Sequence, residues 1–284
     1  MAAIGRLRSL LFAPAVRPDL IAKGPRSGAA GIVIDCEDAT PPDATAEARA
    51  TARQGALDLA GQGPLVLVRI NAVPTEWFPD DVRDALGPEL DGVVVPKVET
   101  VEQLDAIGSA LGEAGLPELP VLLGLETVLG VADARELLAH PRSAGAYFGA
   151  EDYVADLGGV RTPGNAEVAL ARAQVAIAGR LAGVPTLDQI VADFRDDDRF
   201  EREAAEARAM GHRGKLCIHP KQVALANTGF VPSAEEVERA RRLLAAHAEA
   251  AAKGLGAVAF EGQMIDEPLA AQARAIVEAA TTDV

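Results

Sequence analysis

The chain has 284 residues, 49% of them hydrophobic, enough to bury one large core. Its 42 acidic against 27 basic side chains give a formal charge of −15, a field that repels phosphate backbones and anionic surfaces and so speaks against nucleic acid and membrane as partners. Every strong apolar run breaks at a Gly, Pro or charge, well short of the ~18 residues that a membrane span requires.

Short runs rich in Val, Ile and Leu alternate with longer Ala-rich amphipathic stretches, the pattern of βα repeats with buried parallel strands. Eight runs occur, at Ser9–Pro14, Gly31–Asp35, Leu65–Asn71, Gly92–Pro96, Pro120–Glu126, Ala144–Gly149, Val184–Ile190 and Gly214–His219. The seventh is the weakest, because Pro185, Thr186, Asp188 and Gln189 interrupt it. Eight strands, each followed by a helical stretch, predict a closed (β/α)8 TIM barrel over residues 1–228. Residues 229–284 then read as a C-terminal helical extension, a lid or an arm contacting a neighbouring subunit. It comprises a helix from Ser233 to Lys253, opened by the capping box Ser233/Glu236, a loop over Gly256–Asp266, and a last helix from Pro268 to about Ala280.

Most strands finish on polar side chains: Asp35 with Glu37 and Asp38, Arg69 with Asn71, Lys97 with Glu99, Glu126, Glu151 with Asp152, and His219. In a parallel barrel all carboxyl ends of strands lie on one face, so these groups converge where active sites form. Glu126 and Asp152 stand at adjacent strand ends and can reach one cation. Two hard oxygen ligands favour Mg2+, whose other positions go to water or substrate. Arg69 offers a planar fork suited to a carboxylate or a developing enolate oxygen. Strand-end carboxylates also serve as ordinary caps, so spacing alone leaves the metal and the cap readings both open.

Other chemistries find less support. Gly158–Gly159 and Gly211–Gly214 spell neither a Walker loop nor a dinucleotide fingerprint. His140, His212, His219 and His247 lack metal spacing, and no Ser-His-Asp or Cys-His set is present locally. Cys36 and Cys217 each sit in an apolar run and read as structural thiols. With no charged-then-apolar leader in view, they point to a reducing, cytoplasmic setting. Lys97, beside Glu99 and Asp91, reads as an ion-paired lysine rather than a Schiff-base nucleophile.

Seven strings then align in order with one family: Ser9-Leu-Leu-Phe-Ala-Pro-Ala-Val-Arg-Pro18, Ile34-Asp-Cys-Glu-Asp38, Val68-Arg-Ile-Asn71, Val95-Pro-Lys-Val-Glu99, Gly149-Ala-Glu-Asp152, Cys217-Ile-His-Pro220 and Phe260-Glu-Gly-Gln-Met-Ile-Asp266. Almost end to end, the chain resembles the citrate lyase beta-subunit-like proteins of the HpcH/HpaI aldolase and malyl-CoA lyase family. The resemblance implies a metal-dependent 2-oxo-acid aldolase barrel, in which Glu126 and Asp152 hold Mg2+. It implies that Arg69 binds an oxo-acid such as oxaloacetate or glyoxylate. It further implies that Phe12, Arg17 and Lys23 contact coenzyme A or its carrier equivalent, that Ile218 and His219 line the thioester channel, and that the assembly is a homotrimer. The stretch Asp38-Ala-Thr-Pro-Pro-Asp43 departs from the family pattern and predicts a different loop path there.

The expected activity is Mg2+-dependent cleavage, or Claisen-type formation, of a 3-hydroxyacyl-CoA thioester such as malyl-CoA or citramalyl-CoA, giving an oxo-acid and acetyl-CoA. Asp266 is the candidate acid/base, acting on a neighbouring subunit's site. Two alternatives stand beside this reading: a citryl-carrier lyase subunit giving oxaloacetate, and a barrel that binds oxo-acid or acyl-CoA without turnover.

Overall fold

The computed structural model describes residues 4–281. Eight parallel strands close on themselves in sequence order: β1 (Ser9–Pro14), β2 (Gly31–Asp35), β3 (Leu65–Arg69), β4 (Gly92–Val95), β5 (Val121–Leu125), β6 (Ser143–Phe148), β7 (Thr186–Asp188) and β8 (Gly214–Cys217). Pairing of Ser9, Leu10 and Leu11 with Lys215, Leu216 and Cys217 shuts the barrel. The architecture is the expected (β/α)8 barrel, with helices surrounding it.

Alternation along each strand builds two apolar layers. Leu10, Val33, Leu67, Val94, Leu122, Leu187 and Leu216 fill the barrel interior together with Tyr147. Their chain neighbours, among them Leu11, Ile32, Val66, Val93, Leu123 and Cys217, pack outward against the helices. Burial of both faces is why these strands read as unbroken apolar runs.

β7 behaves differently, and the expected run Val184–Ile190 contains a strand of only 3 residues. At its start, the Val184 N–H donates to Gly179 O across the left-handed Gly183, so Val184 belongs to the closing turn of the helix Ala169–Ala182. At its end, polar side chains turn toward a buried charged cluster. Arg172 grips Asp188 through Nε and Nη2, each at 2.9 Å. Lys215 Nζ lies 2.9 Å from Asp188 and 3.3 Å from Glu203, and Gln189 donates to Glu203. Of the residues that weaken the strand signal, Asp188 is thus the partner of two buried cations and Gln189 a donor to a buried acid. His212 lies in the same region, fully buried, with Nε2 against Arg172 O.

The chain divides into two compact units, the first ending at Phe230 and the second beginning at Val231. The second holds a helix over Ala234–Ala252, opened by the Ser233/Glu236 capping box, and a helix over Glu267–Thr281. Its core is formed by Ala240, Leu243, Ile265, Ala270 and Ala273. The segment expected as a loop is instead a hairpin, β9 (Val258–Phe260) paired with β10 (Gln263–Ile265). Glu261 and Gly262 both take positive φ at its tip, +47° and +80°, the conformation of a tight two-residue turn. Glutamate rarely adopts that conformation, so the turn carries no strong sequence signature.

Candidate active site

Glu126 follows β5 directly and is 2% exposed. Its Oε1 accepts two hydrogen bonds, from the Lys97 backbone N–H and from the Tyr147 hydroxyl, each at 3.1 Å. Lys97 makes the first by holding φ at +53°, an uncommon conformation for a residue with a side chain. Two glycines make room for the carboxylate. A Cβ on Gly149 would stand 2.6 Å from Glu126 Cβ and closer still to Oε2, and one on Gly124 would stand 2.6 Å from the Tyr147 hydroxyl. Gly149 is also the N-cap of the helix Ala150–Leu157, whose first turn carries Asp152. One glycine therefore accommodates the first acid and starts the helix that presents the second.

Around this pair the charges form one network. Arg69, at the end of β3, is 8% exposed and sits over the Phe12 ring at 5.0 Å. Its Nε and Nη2 each lie 2.7 Å from the Asp35 carboxylate, and Nη1 lies 2.9 Å from Glu37. The Nε–Nη2 edge is therefore already engaged, so an incoming acid meets the remainder of the guanidinium rather than a free fork. Lys97 Nζ bridges Glu37 at 2.5 Å and Asp152 at 3.3 Å. Its partners are these site acids and not the chain neighbours Glu99 and Asp91, because the strand end aims the side chain into the barrel mouth; Asp91 instead accepts from Val66 N–H.

Burial pushes the Glu126 carboxyl up to about 7, the charge of Glu37 adds to this, and Arg69 and Lys97 oppose it. Burial also raises Glu37, against the pull of Arg69. Desolvation works against the Lys97 ammonium, yet Glu37, Glu126 and Asp38 outweigh it and hold its pKa well above the ordinary lysine value. A lysine so firmly charged is no imine nucleophile. Burial, then Glu126, likewise keeps the Tyr147 phenol protonated far above its usual range.

These side chains border a cavity of about 260 Å³ whose lining includes Phe12, Arg69, Glu126, Tyr147, Asp152 and Ile218. Among the described residues no three His, Cys, Asp or Glu side chains form a ready metal cage. The donor set is two carboxylates with an otherwise open shell, which matches the habit of Mg2+. The Lys97 ammonium already acts as a cation at Asp152 and, through Glu37, beside Glu126. Asp35, Glu37, Asp38, Glu126 and Asp152 set five acids against the two cations Arg69 and Lys97, so the cluster tolerates a further positive charge. The residues present fit a divalent ion.

Phe12, Arg69, Glu126, Asp152 and Ile218 thus meet in one place. Arg17 and Lys23 do not line the cavity; both pair with Asp19 on an exposed face, at 2.8 and 3.3 Å. His219 caps the helix Pro220–Gly229, its Nδ1 accepting from Lys221 N–H, and stacks on Phe194 at 4.8 Å. Asn71 is drawn away to Asp81, to which its N–H and Nδ2 both donate. Asp266 lies in the second unit, directly after β10, with its backbone oxygen accepting from Ala270 N–H. Sequence reading passed over Tyr147. Its one signal was an aromatic with a polar tip inside a strand of small residues, which needs a partner when buried.

The HpcH/HpaI aldolase/citrate lyase family model matches residues 8–220. The chain belongs to this family. A citrate lyase subunit beta-like protein from Deinococcus radiodurans is 52% identical, covering 95% of this chain and 96% of its own length. A (3S)-malyl-CoA thioesterase from Cereibacter sphaeroides is 32% identical over 91% of this chain and 89% of its own. The crystal structure of the CitE protein from Mycobacterium tuberculosis, in complex with magnesium, acetoacetate and coenzyme A, superposes with a TM-score of 0.81 at 31% identity, covering 96% of this chain and 97% of that one. The family match itself lies within the barrel, whereas these relatives also span the second unit of this HpcH/HpaI protein.

Proposed function

We propose that the protein is a Mg2+-dependent carbon–carbon lyase acting on a 3-hydroxyacyl-CoA thioester such as malyl-CoA or citramalyl-CoA, in the cytoplasm and as a homotrimer. The observation that carries this reading is the convergence of Glu126, Asp152 and the Arg69 guanidinium on one cavity. Magnesium held by Glu126 and Asp152 would supply Lewis acidity and a template for the substrate's hydroxyl and carboxylate oxygens. Arg69, fixed by Asp35 and Glu37, contributes a preorganised positive charge where the oxo-acid oxygen develops. Phe12 and Ile218 give the cavity an apolar wall that limits water around the reacting carbons.

In cleavage the substrate hydroxyl loses its proton and its carbon becomes the oxo-acid carbonyl. The broken bond's electron pair passes to the thioester enolate, which gains one proton at its terminal carbon. We assign that proton exchange to Asp266 of a neighbouring copy, with Arg17, Lys23 and His219 as contacts for the coenzyme. Arg17 and Lys23 would exchange Asp19 for phosphate oxygens.

A second reading, thioester hydrolysis, is favoured by the similarity to a (3S)-malyl-CoA thioesterase. A third, a citryl-carrier lyase subunit, is favoured by the 52% identical citrate lyase subunit beta-like relative. Incubation of the purified chain with Mg2+ and a thioester panel separates them. Glyoxylate or pyruvate with acetyl-CoA supports the lyase, whereas free thiol with malate supports the thioesterase. Oxaloacetate from citryl thioester on a carrier protein alone supports the third. Binding with no product from any thioester would leave a non-catalytic barrel and overturn the proposal.

A further inference from the structure

Both hydrogen bonds to the Glu126 carboxylate fall on the same oxygen. Oε1 accepts from the Lys97 N–H, whose position is set by backbone, and from the Tyr147 hydroxyl, whose position is set by packing. The Tyr147 ring is 1% exposed and meets the Phe12 ring edge to face at 6.2 Å. Gly124 leaves the space in which the hydroxyl reaches Oε1. Oε2 lies on the other side, against the Cβ-less Gly149 that lines the cavity. A carboxylate with two donors on one oxygen cannot rotate freely, so the two oxygens are not equivalent toward a ligand.

We propose that Tyr147 is a positioning residue for metal selection: by anchoring Oε1 it leaves Oε2 as the single oxygen that Glu126 offers to a divalent cation. This rests on the reading of Glu126 as a metal ligand. The consequence follows from ion size. Mg2+ is compact and six-coordinate and is served by one oxygen per carboxylate, whereas Ca2+ is larger, takes more oxygens and readily accepts both from one carboxylate. Pinning Oε1 therefore withholds the second oxygen that Ca2+ would use. Removing the hydroxyl leaves Oε1 held by the Lys97 N–H alone, so the carboxylate turns more easily and the site loses discrimination even though both proposed ligands and the ring packing remain.

The test is calorimetric titration of Mg2+ and of Ca2+ into the full chain and into Tyr147→Phe. The substitution keeps the ring against Phe12 and deletes only the donor, so Mg2+ affinity is expected to fall by about tenfold, the lower range for loss of a partner that orients a metal ligand, while Ca2+ affinity is kept and the preference for Mg2+ falls with it. A merely structural role would weaken both ions alike or lower the Tm with the ratio intact. An unchanged ratio in a folded Tyr147→Phe protein would overturn the proposal. If that variant does not fold, the native side chain can be read directly. The chain has 2 tyrosines, so 3-fluorotyrosine incorporated into Tyr153→Phe leaves one labelled ring, at position 147. Its fluorine resonance should move on Mg2+ saturation, and a resonance that stays in place would also overturn the proposal. Should the wild-type chain bind neither ion, the metal reading falls and takes this one with it. A wild type that binds both, with a ratio unaltered in Tyr147→Phe, removes the role of Tyr147 alone.

Discussion

Gly149→Ala adds one methyl group at the junction between the two acids, and the structure sets its cost. The backbone there, φ −103° and ψ +97°, is open to alanine, so no conformational strain enters. The new Cβ would lie 2.6 Å from Glu126 Cβ and 3.2 Å from Glu126 Cδ, inside normal van der Waals separation. Glu126 cannot yield cheaply, because its Cβ is fixed to the β5 end and Oε1 is held by two donors. Overpacking of this kind costs about 1–3 kcal/mol, and about 1 kcal/mol moves the Tm of a domain this size by roughly 2–4 °C. Loss of Mg2+ affinity should accompany it, on the order of tenfold, since the displaced group is the proposed ligand. Thermal unfolding and calorimetry on the single variant, on Glu126→Gly and on the double variant form a cycle. In the Glu126→Gly background the clashing atoms are gone, so Gly149→Ala should cost less than about 0.5 kcal/mol, which leaves a coupling of at least ~0.5 kcal/mol. A single variant with wild-type Tm and affinity, or a cycle with no coupling, would falsify the packing argument.

Glu126→Gln and Asp152→Asn should each lower Mg2+ affinity by more than tenfold while the barrel stays folded, because each removes one of two charged ligands; unchanged isotherms for both would end the metal assignment. Arg69→Lys keeps the charge but not the geometry that grips Asp35 and Glu37 together. Oxo-acid affinity should fall at least tenfold in equilibrium binding, and a variant with full affinity would make Arg69 structural. Asp266→Asn should retain Mg2+ binding and lose most turnover, with activity restored when it is mixed with Glu126→Gln under subunit exchange; verified mixed oligomers that stay inactive would confine Asp266 to its own barrel or to no catalytic role.

The buried cluster around β7 predicts a pH profile of stability. Burial lowers the pKa of His212 below its usual value, so the unfolded chain takes up a proton first and stability falls as pH drops below about 6.5. Asp188 is held below the carboxylate range: burial opposes its ionisation, but its ion pairs with Lys215 and Arg172 prevail. Its contribution is complete above about pH 4 and is lost as pH falls further. The raised Glu126 and Glu37 carboxyls act in the opposite sense, gaining stability as pH falls through the same upper window. The measurement is therefore a difference: urea midpoints of His212→Gln relative to wild type should rise as pH falls from 7.5 to 5 and stay level from there to pH 3. A difference that does not change between pH 7 and 5 would contradict the assignment of His212 as a buried neutral ring.

What could be read from the chain alone was what depends on near neighbours. Alternating apolar runs specified the strands, since each strand's burial on two faces is written into its own residues. The Ser233/Glu236 cap joins positions three apart and was legible for the same reason. Strand-end acids could be placed on one face because parallel barrels admit only one direction for all strands. Tertiary structure decided the partners. Lys97 meets Glu37 rather than Glu99, Arg69 is gripped by Asp35, and Tyr147 reaches Glu126, across separations at which sequence carries no record of who faces whom. The charge of Asp188 in β7 looked like weakness until Arg172 and Lys215, contributed by a helix and by the next strand, appeared as its counter-ions. Charges buried in a low-dielectric layer are tolerable only as pairs, and the pairs exist only once the barrel has closed.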